Sequence, residues 1–216
     1  MPLTGTGRLL DELGFFVGSI SEVIVTTVNV GGSFNAAPMG VVRRGMESLE
    51  IRPYKTSSTH ANLVRHPRAC VNVTDDPVIF MATAFKGEPF PNHLVPSIDM
   101  DLRLSSSDAH VFLVVEWYND LSEDRSSFTC RVERVEIQRP FPRAFSRGRA
   151  EAIEAVIHVT RIEHCVKASE LAKLETLIKQ FHACKDIVER VSHPESGEAV
   201  VIRELERLIA EWRERL

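Results

Sequence analysis

The chain has 216 residues, 44% hydrophobic and 26% charged, with a formal net charge of −4. That length carries one sizeable core or a core with an appendage, and the acidic balance excludes the Lys/Arg excess on which general nucleic-acid binding rests. No apolar run approaches the roughly 18–20 residues of a membrane span, and Met1-Pro2-Leu3-Thr4-Gly5 lacks the charged start and apolar run of a secretory signal.

Cys70, Cys130, Cys165 and Cys184 are scattered without CxxC spacing, the usage of free thiols in a reducing cytoplasm. Residues 23–28 are β-branched and end at the turn Gly31-Gly32, so they read as a strand. Residues 36–43 follow as a second strand, and Gly45-Met46-Glu47 turns the chain again. Leu49, Ile51 and Pro53 alternate with Glu50, Arg52 and Tyr54, the pattern of a third strand with one buried face. A short helix begins near residue 58 and ends at His66-Pro67. A fourth strand at 69–73 stops at Asp75-Asp76-Pro77, and the proline-broken stretch 85–107 reads as a loop. Two more strands, 111–118 and 128–137, flank a polar turn. A meander of short strands predicts a barrel.

Beyond Pro140 the period becomes helical. Apolar stripes run through Ile153, Val156, Ile157 and Ile162, then Leu171, Leu174, Leu177, Ile178 and Phe181, then Val201, Leu205, Leu208, Ile209 and Trp212. Pro194 and Gly197 separate the last two. The expected division is therefore a barrel over 1–140 and a helical region over 141–216, packed on the barrel or at a dimer interface.

Two runs carry chemistry. In Arg52-Pro53-Tyr54-Lys55-Thr56-Ser57-Ser58-Thr59-His60-Ala61-Asn62 a strand leads into a helix. Its first N–H groups, its hydroxyls and two cations would converge on a phosphate. Ser58 or Thr59 acting only as an N-cap explains the same residues. In Asn35-Ala36-Ala37-Pro38-Met39-Gly40-Val41, small residues admit a flat ring close to the backbone, and Pro38 implies an edge or bulge. A strand end with a close-packed glycine explains that run equally well.

Together, in this order, the two runs resemble the FMN-binding split β-barrels, which include flavin reductases and pyridoxamine-phosphate oxidase relatives. Arg139-Pro140-Phe141-Pro142-Arg143-Ala144-Phe145-Ser146-Arg147-Gly148, continuing through Ile153 to Arg161, is similar to the domain-of-unknown-function 447 family. The resemblance implies a split barrel with a C-terminal helical region, FMN as cofactor, and a homodimer. It implies that Lys55, Thr56, Ser57 and Thr59 hold the phosphate, supported by Arg52 and Asn62, and that Pro38, Met39 and Gly40 lie against the ring. Relatives often place a basic residue where Ser57 and Ser58 stand here. Members of the family occur among genes of tetrahydromethanopterin-linked one-carbon metabolism.

The function implied is an FMN-dependent oxidoreductase acting on a small molecule, the alternative being a non-catalytic flavin-binding or partner-docking protein. No catalytic side chain is nominated. His158, His164, Cys165, His182, Cys184 and His193 lack the tight spacing of a zinc site, so no metal is expected. Arg143 and Arg147 reach either an acidic ligand or solvent. His60 and His93 are candidate proton carriers if near a flavin. No dinucleotide, P-loop or nucleophile-elbow motif is present.

Overall fold

In a computed structural model, residues 5–88, 96–139, 146–168 and 170–214 are described. Six antiparallel strands, β1 (Ile20–Val28), β2 (Phe34–Gly45), β3 (Ser48–Ile51), β4 (Arg68–Val73), β5 (Ala109–Asp120) and β6 (Ser126–Ile137), close a barrel in the order β1-β2-β3-β6-β5-β4. The helices are α1 (Gly5–Glu12), α2 (Ser58–Arg65), α3 (Pro77–Ala84), α4 (Arg147–Ala168), α5 (Leu171–Val191) and α6 (Gly197–Arg213). Among the described residues, no helix is long and apolar enough to cross a membrane.

Every strand expected from the sequence is present, most of them longer than the pattern indicated. The β1–β2 turn uses Gly31 and Gly32 at φ 91° and 87°, the left-handed region where a Cβ is disfavoured. Side chains alternate, so Val23, Val25, Val41, Leu49, Ile51, Val71, Val111, Leu113 and Phe128 fill the barrel. One end is plugged by buried Arg43. Its guanidinium pairs with Asp11 of α1 and donates to the carbonyls of Gly7, Phe15, Gly45 and Met46. A buried charge is tolerable only with this degree of satisfaction. The sequence reading missed α1, because only Gly7 and Leu10 of its residues are buried and no apolar period develops.

Pro38 stands opposite Ile24 of β1, while pairing of β2 with β3 starts only at Val41. Along residues 34–40, β2 is therefore laddered on the β1 side and not by β3. A residue with no N–H fits such an edge, as the sequence implied.

The chain divides into two compact units, 1–74 with 96–142 and 75–95 with 143–216. The second unit thus takes in a segment that the sequence reading left within the barrel. The reason is α3, which buries Ile79, Phe80, Met81, Ala82 and Thr83 around its whole circumference and needs helical cover. Its start is capped by Asp76, whose carboxylate accepts from Val78 N at 2.9 Å, with Pro77 in the first turn. Gly197 opens α6 beside it; a Cβ there would meet Val78 at 3.1 Å. The α6 stripe is buried as expected. On α4 the buried face is centred differently, on Ala152, Ala155, Val156, Val159 and Ile162, with Ile153 and Ile157 only partly covered. Alanines carried the face that a search for large residues passed over.

Candidate functional site

Where β3 ends, Tyr54 bridges to Arg125 and Lys55 N donates to Asp124 O at 2.8 Å, so the chain leaves the sheet against the β5–β6 hairpin. The Arg125 guanidinium lies 3.8 Å over the Tyr54 ring and donates to Arg52 O at 2.9 Å. Ser57 then caps α2, its hydroxyl accepting from His60 N at 3.2 Å and donating to Tyr54 O at 2.7 Å. The cap expected at Ser58 or Thr59 thus falls on Ser57, because it is the last residue with extended backbone before the helix (φ −83°, ψ 152°).

The predicted residues divide into two groups. Thr56 is exposed, and Lys55 pairs at 2.9 Å with Asp120, whose side chain is 71% exposed. Such a surface pair is weak, which leaves the ammonium available to a ligand. Thr59 and Asn62 instead face inward. Thr59 Oγ1 accepts from Asn35 Nδ2 at 3.1 Å, and Asn62 Nδ2 donates to Thr27 Oγ1 and Asn29 Oδ1, both at 2.9 Å. This network bolts α2 to β1 and β2, and it brings the first turn of the helix against the beginning of the strand that carries Pro38.

On that strand Met39 packs against the barrel core and Pro38 lies on the opposite face. Gly40 shares Pro38's face, where a Cβ would meet Ile20 Cγ2 at 2.8 Å and Glu22 Oε1 at 3.2 Å. A side chain at this position would thus run into Ile20 and Glu22 of β1.

Arg52 belongs to a charged cluster on the neighbouring strand. Glu50 accepts from Arg52 at 2.9 Å and from Arg44 and Ser127 at 2.5 Å each. Burial opposes its ionisation, but these three bonds outweigh it and hold the carboxyl at about 2 instead of 4.5. The folded pKa is depressed, so its stabilising contribution is complete above the unfolded value of 4.5 and disappears as pH falls toward 2. Chemical denaturation across that window should show a shallower acid loss for Glu50→Gln than for the wild type. Equal slopes would remove Glu50 from the acid transition. Arg52 Nε is buried and has no hydrogen-bond partner among the described residues.

Sequence reasoning missed Tyr54, Asp120 and Arg125 as members of this site, since a polar hairpin turn carries no signal of what it will approach. His60 does reach it. Its Nε2 lies 3.0 Å from Ser126 Oγ, and its ring meets Phe128 edge-on at 5.4 Å. His93 and Arg143 lie outside the described residues, and Arg147 is exposed at the start of α4. His158 is buried on α4, 3.5 Å from Glu154. Among the described residues, no three His, Cys, Asp or Glu side chains gather in a way that could hold a metal.

The fold has solved counterparts. An FMN-bound DUF447 protein from Methanosarcina mazei superposes with a TM-score of 0.70 at 20% identity, over 94% of this chain and 99% of the other. The flavin reductase of the styrene monooxygenase of Pseudomonas putida S12 gives 0.47 at 14% identity, over 56% and 84%. The 2-nitrobenzoate 2-nitroreductase of Pseudomonas fluorescens gives 0.46 at 16%, over 63% and 73%. A family model, described as the N-terminal domain of a protein of unknown function (DUF447), matches residues 21–139, more than half of the sequence. The chain belongs to that family.

Proposed function

We propose that this protein binds FMN and uses it as an oxidoreductase in the reducing cytoplasm, where its four buried free thiols are stable. The observation that carries the reading is the 3.1 Å bond from Asn35 to Thr59, which joins the helix start suited to a phosphate to the strand suited to a ring. The residues present fit the group. Thr56, Lys55 and the first N–H groups of α2 supply donors and charge to a phosphate, and Arg52 Nε, without a partner among the described residues, is a further donor nearby in the chain. Ser57, Thr59 and Asn62 act by fixing the turn. When bound, FMN supplies the electron-transfer chemistry. The half-laddered stretch of β2 offers Pro38 to the ring, and His60 is the titratable group at hand for protons.

Thr56→Ala combined with Lys55→Ala should weaken FMN binding by about tenfold or more at unchanged thermal stability. Wild-type affinity in a fluorescence titration would take the phosphate away from this turn. Anaerobic titration with NADH, NADPH and reduced pterins then separates an enzyme from an inert flavin carrier, and tests the association with one-carbon metabolism.

The protein is proposed to be a homodimer. On the β5–β6 hairpin, next to the site, Trp117 stands 55% exposed on one face of the strand, and Tyr118 and Leu121 are 49% and 48% exposed. Exposed large apolar side chains beside a site are most commonly covered by two-fold association. Light scattering at low micromolar concentration should give twice the chain mass. A monomer that binds FMN stoichiometrically would overturn this.

A further inference from the structure

The barrel unit contains a cleft of about 550 Å³ that shares no residue with the α2 site. It lies between the segment preceding β5 and the end of β6. Ten residues line it, and all but Leu104 carry a polar side chain. No flat apolar wall is offered to a flavin or nicotinamide ring.

The charges in it are already matched. Arg103 is held by Asp99, Asp101 and Glu136 at 2.8, 3.0 and 3.1 Å, and Arg139 pairs with Asp108 at 3.4 Å. What is left for a ligand is neutral hydrogen bonding. The side chain of Asn72 accepts from Leu104 N at 2.8 Å and donates to Ile24 O at 3.2 Å, two backbone groups that fix its orientation. Its oxygen therefore faces His110 Nδ1 at 2.9 Å, so that nitrogen carries the proton and Nε2 keeps its lone pair. Burial, the chief influence on His110, lowers its pKa and so favours the neutral ring. Beside it Ser107, only 7% exposed, has a buried hydroxyl without a partner among the described residues. An unpaired buried hydroxyl is costly and calls for an explanation. The wall is also pinned. Thr26 donates to Leu102 O, Ser105 N donates to Ser97 O at 2.8 Å, and Leu102 and Ser106 hold φ of 68° and 69°, unusual for non-glycine residues.

We propose that this cleft binds an uncharged polyhydroxylated molecule, a sugar or sugar alcohol, through the imidazole of His110 and the hydroxyl of Ser107. A ligand hydroxyl donates to His110 Nε2, and a neighbouring oxygen accepts from Ser107; adjacent hydroxyls offer that donor–acceptor pair without charge. Ser97, Ser106 and Gln138 provide further polar groups along the wall.

The test titrates the full chain with ribitol and with D-ribose at millimolar concentrations, with and without FMN, following saturation transfer and the His110 imidazole resonances. Both neutral polyols should shift His110 equally in the presence and absence of FMN. Ser107→Ala removes a hydroxyl that bonds to nothing among the described residues, so the fold should be kept, and it should weaken binding about tenfold. Ribose 5-phosphate should bind no more tightly than D-ribose. An unmoved His110, unchanged affinity in Ser107→Ala, binding of the phosphate alone, or displacement of the polyol by FMN would each overturn the proposal.

Discussion

Riboflavin is expected to bind at least about a hundredfold more weakly than FMN. The two ligands differ only in the phosphate, so the ratio reads what the α2 turn contributes. Hydrogen bonds to a charged group are worth about 1.5–3 kcal/mol each. Two of them, drawn from Thr56, Lys55 and the first N–H groups of the helix, give about 3–6 kcal/mol, or roughly two to four orders of magnitude. Part of that is offset because Lys55 must leave Asp120, but an exposed pair costs little to separate. The ratio should also shrink with added salt, since Lys55 is 30% exposed and its attraction is screened. Parallel fluorescence titrations measure this directly, and equal affinities would eliminate a phosphate site at α2.

Asn72→Leu should lower the unfolding free energy by about 3–5 kcal/mol. The side chain is fully buried and of similar volume to leucine, so packing changes little and the polar loss dominates. Its amide donates to Ile24 O, Thr26 Oγ1 and Cys70 O, while its oxygen accepts from Leu104 N and His110 Nδ1. Leucine leaves the Leu104 N–H and the His110 ring buried and unpaired, and each such group costs about 1–3 kcal/mol. Asn72→Asp preserves the acceptor but loses the donors and sets a buried charge against the Ile24 and Cys70 carbonyls, so near neutral pH it should be at least as destabilising as leucine. Urea denaturation gives the ranking. A loss below about 1 kcal/mol for leucine would mean that water replaces the amide.

Much of the barrel could be read directly because its signals are local. The glycine pair at 31–32, the alternation around Leu49 and Ile51, and the Ser57 to Pro67 frame of α2 each depend on neighbours within a few residues. Less legible is any role set by a distant partner. Thr59 and Asn62 bond to Asn35, Thr27 and Asn29, residues that the local sequence around α2 does not point to. Gly40 likewise meets a partner from another strand, since a Cβ there would lie 2.8 Å from Ile20 Cγ2. The α3 helix is too short and too uniformly apolar to show a period, so Asp76-Pro77 reads as the end of a strand although it also starts a helix. His110 gives no sign in sequence of its fixed proton, because Asn72 and Leu104 set it from elsewhere in the fold.

The origin of the helical unit in two separate stretches, 75–95 and 143–216, bears on how the chain can be cut and how it is made. A fragment ending near residue 140 would keep all six strands but strip α3 of the helices that cover Ile79, Phe80 and Met81. On the ribosome the same exposure is unavoidable. The apolar helix emerges well before α4 to α6 are synthesised, so it must wait for them while β5 and β6 are still completing the barrel. Hydrophobic surface exposed during that interval favours aggregation, and contacts that close so long a loop are slow to form.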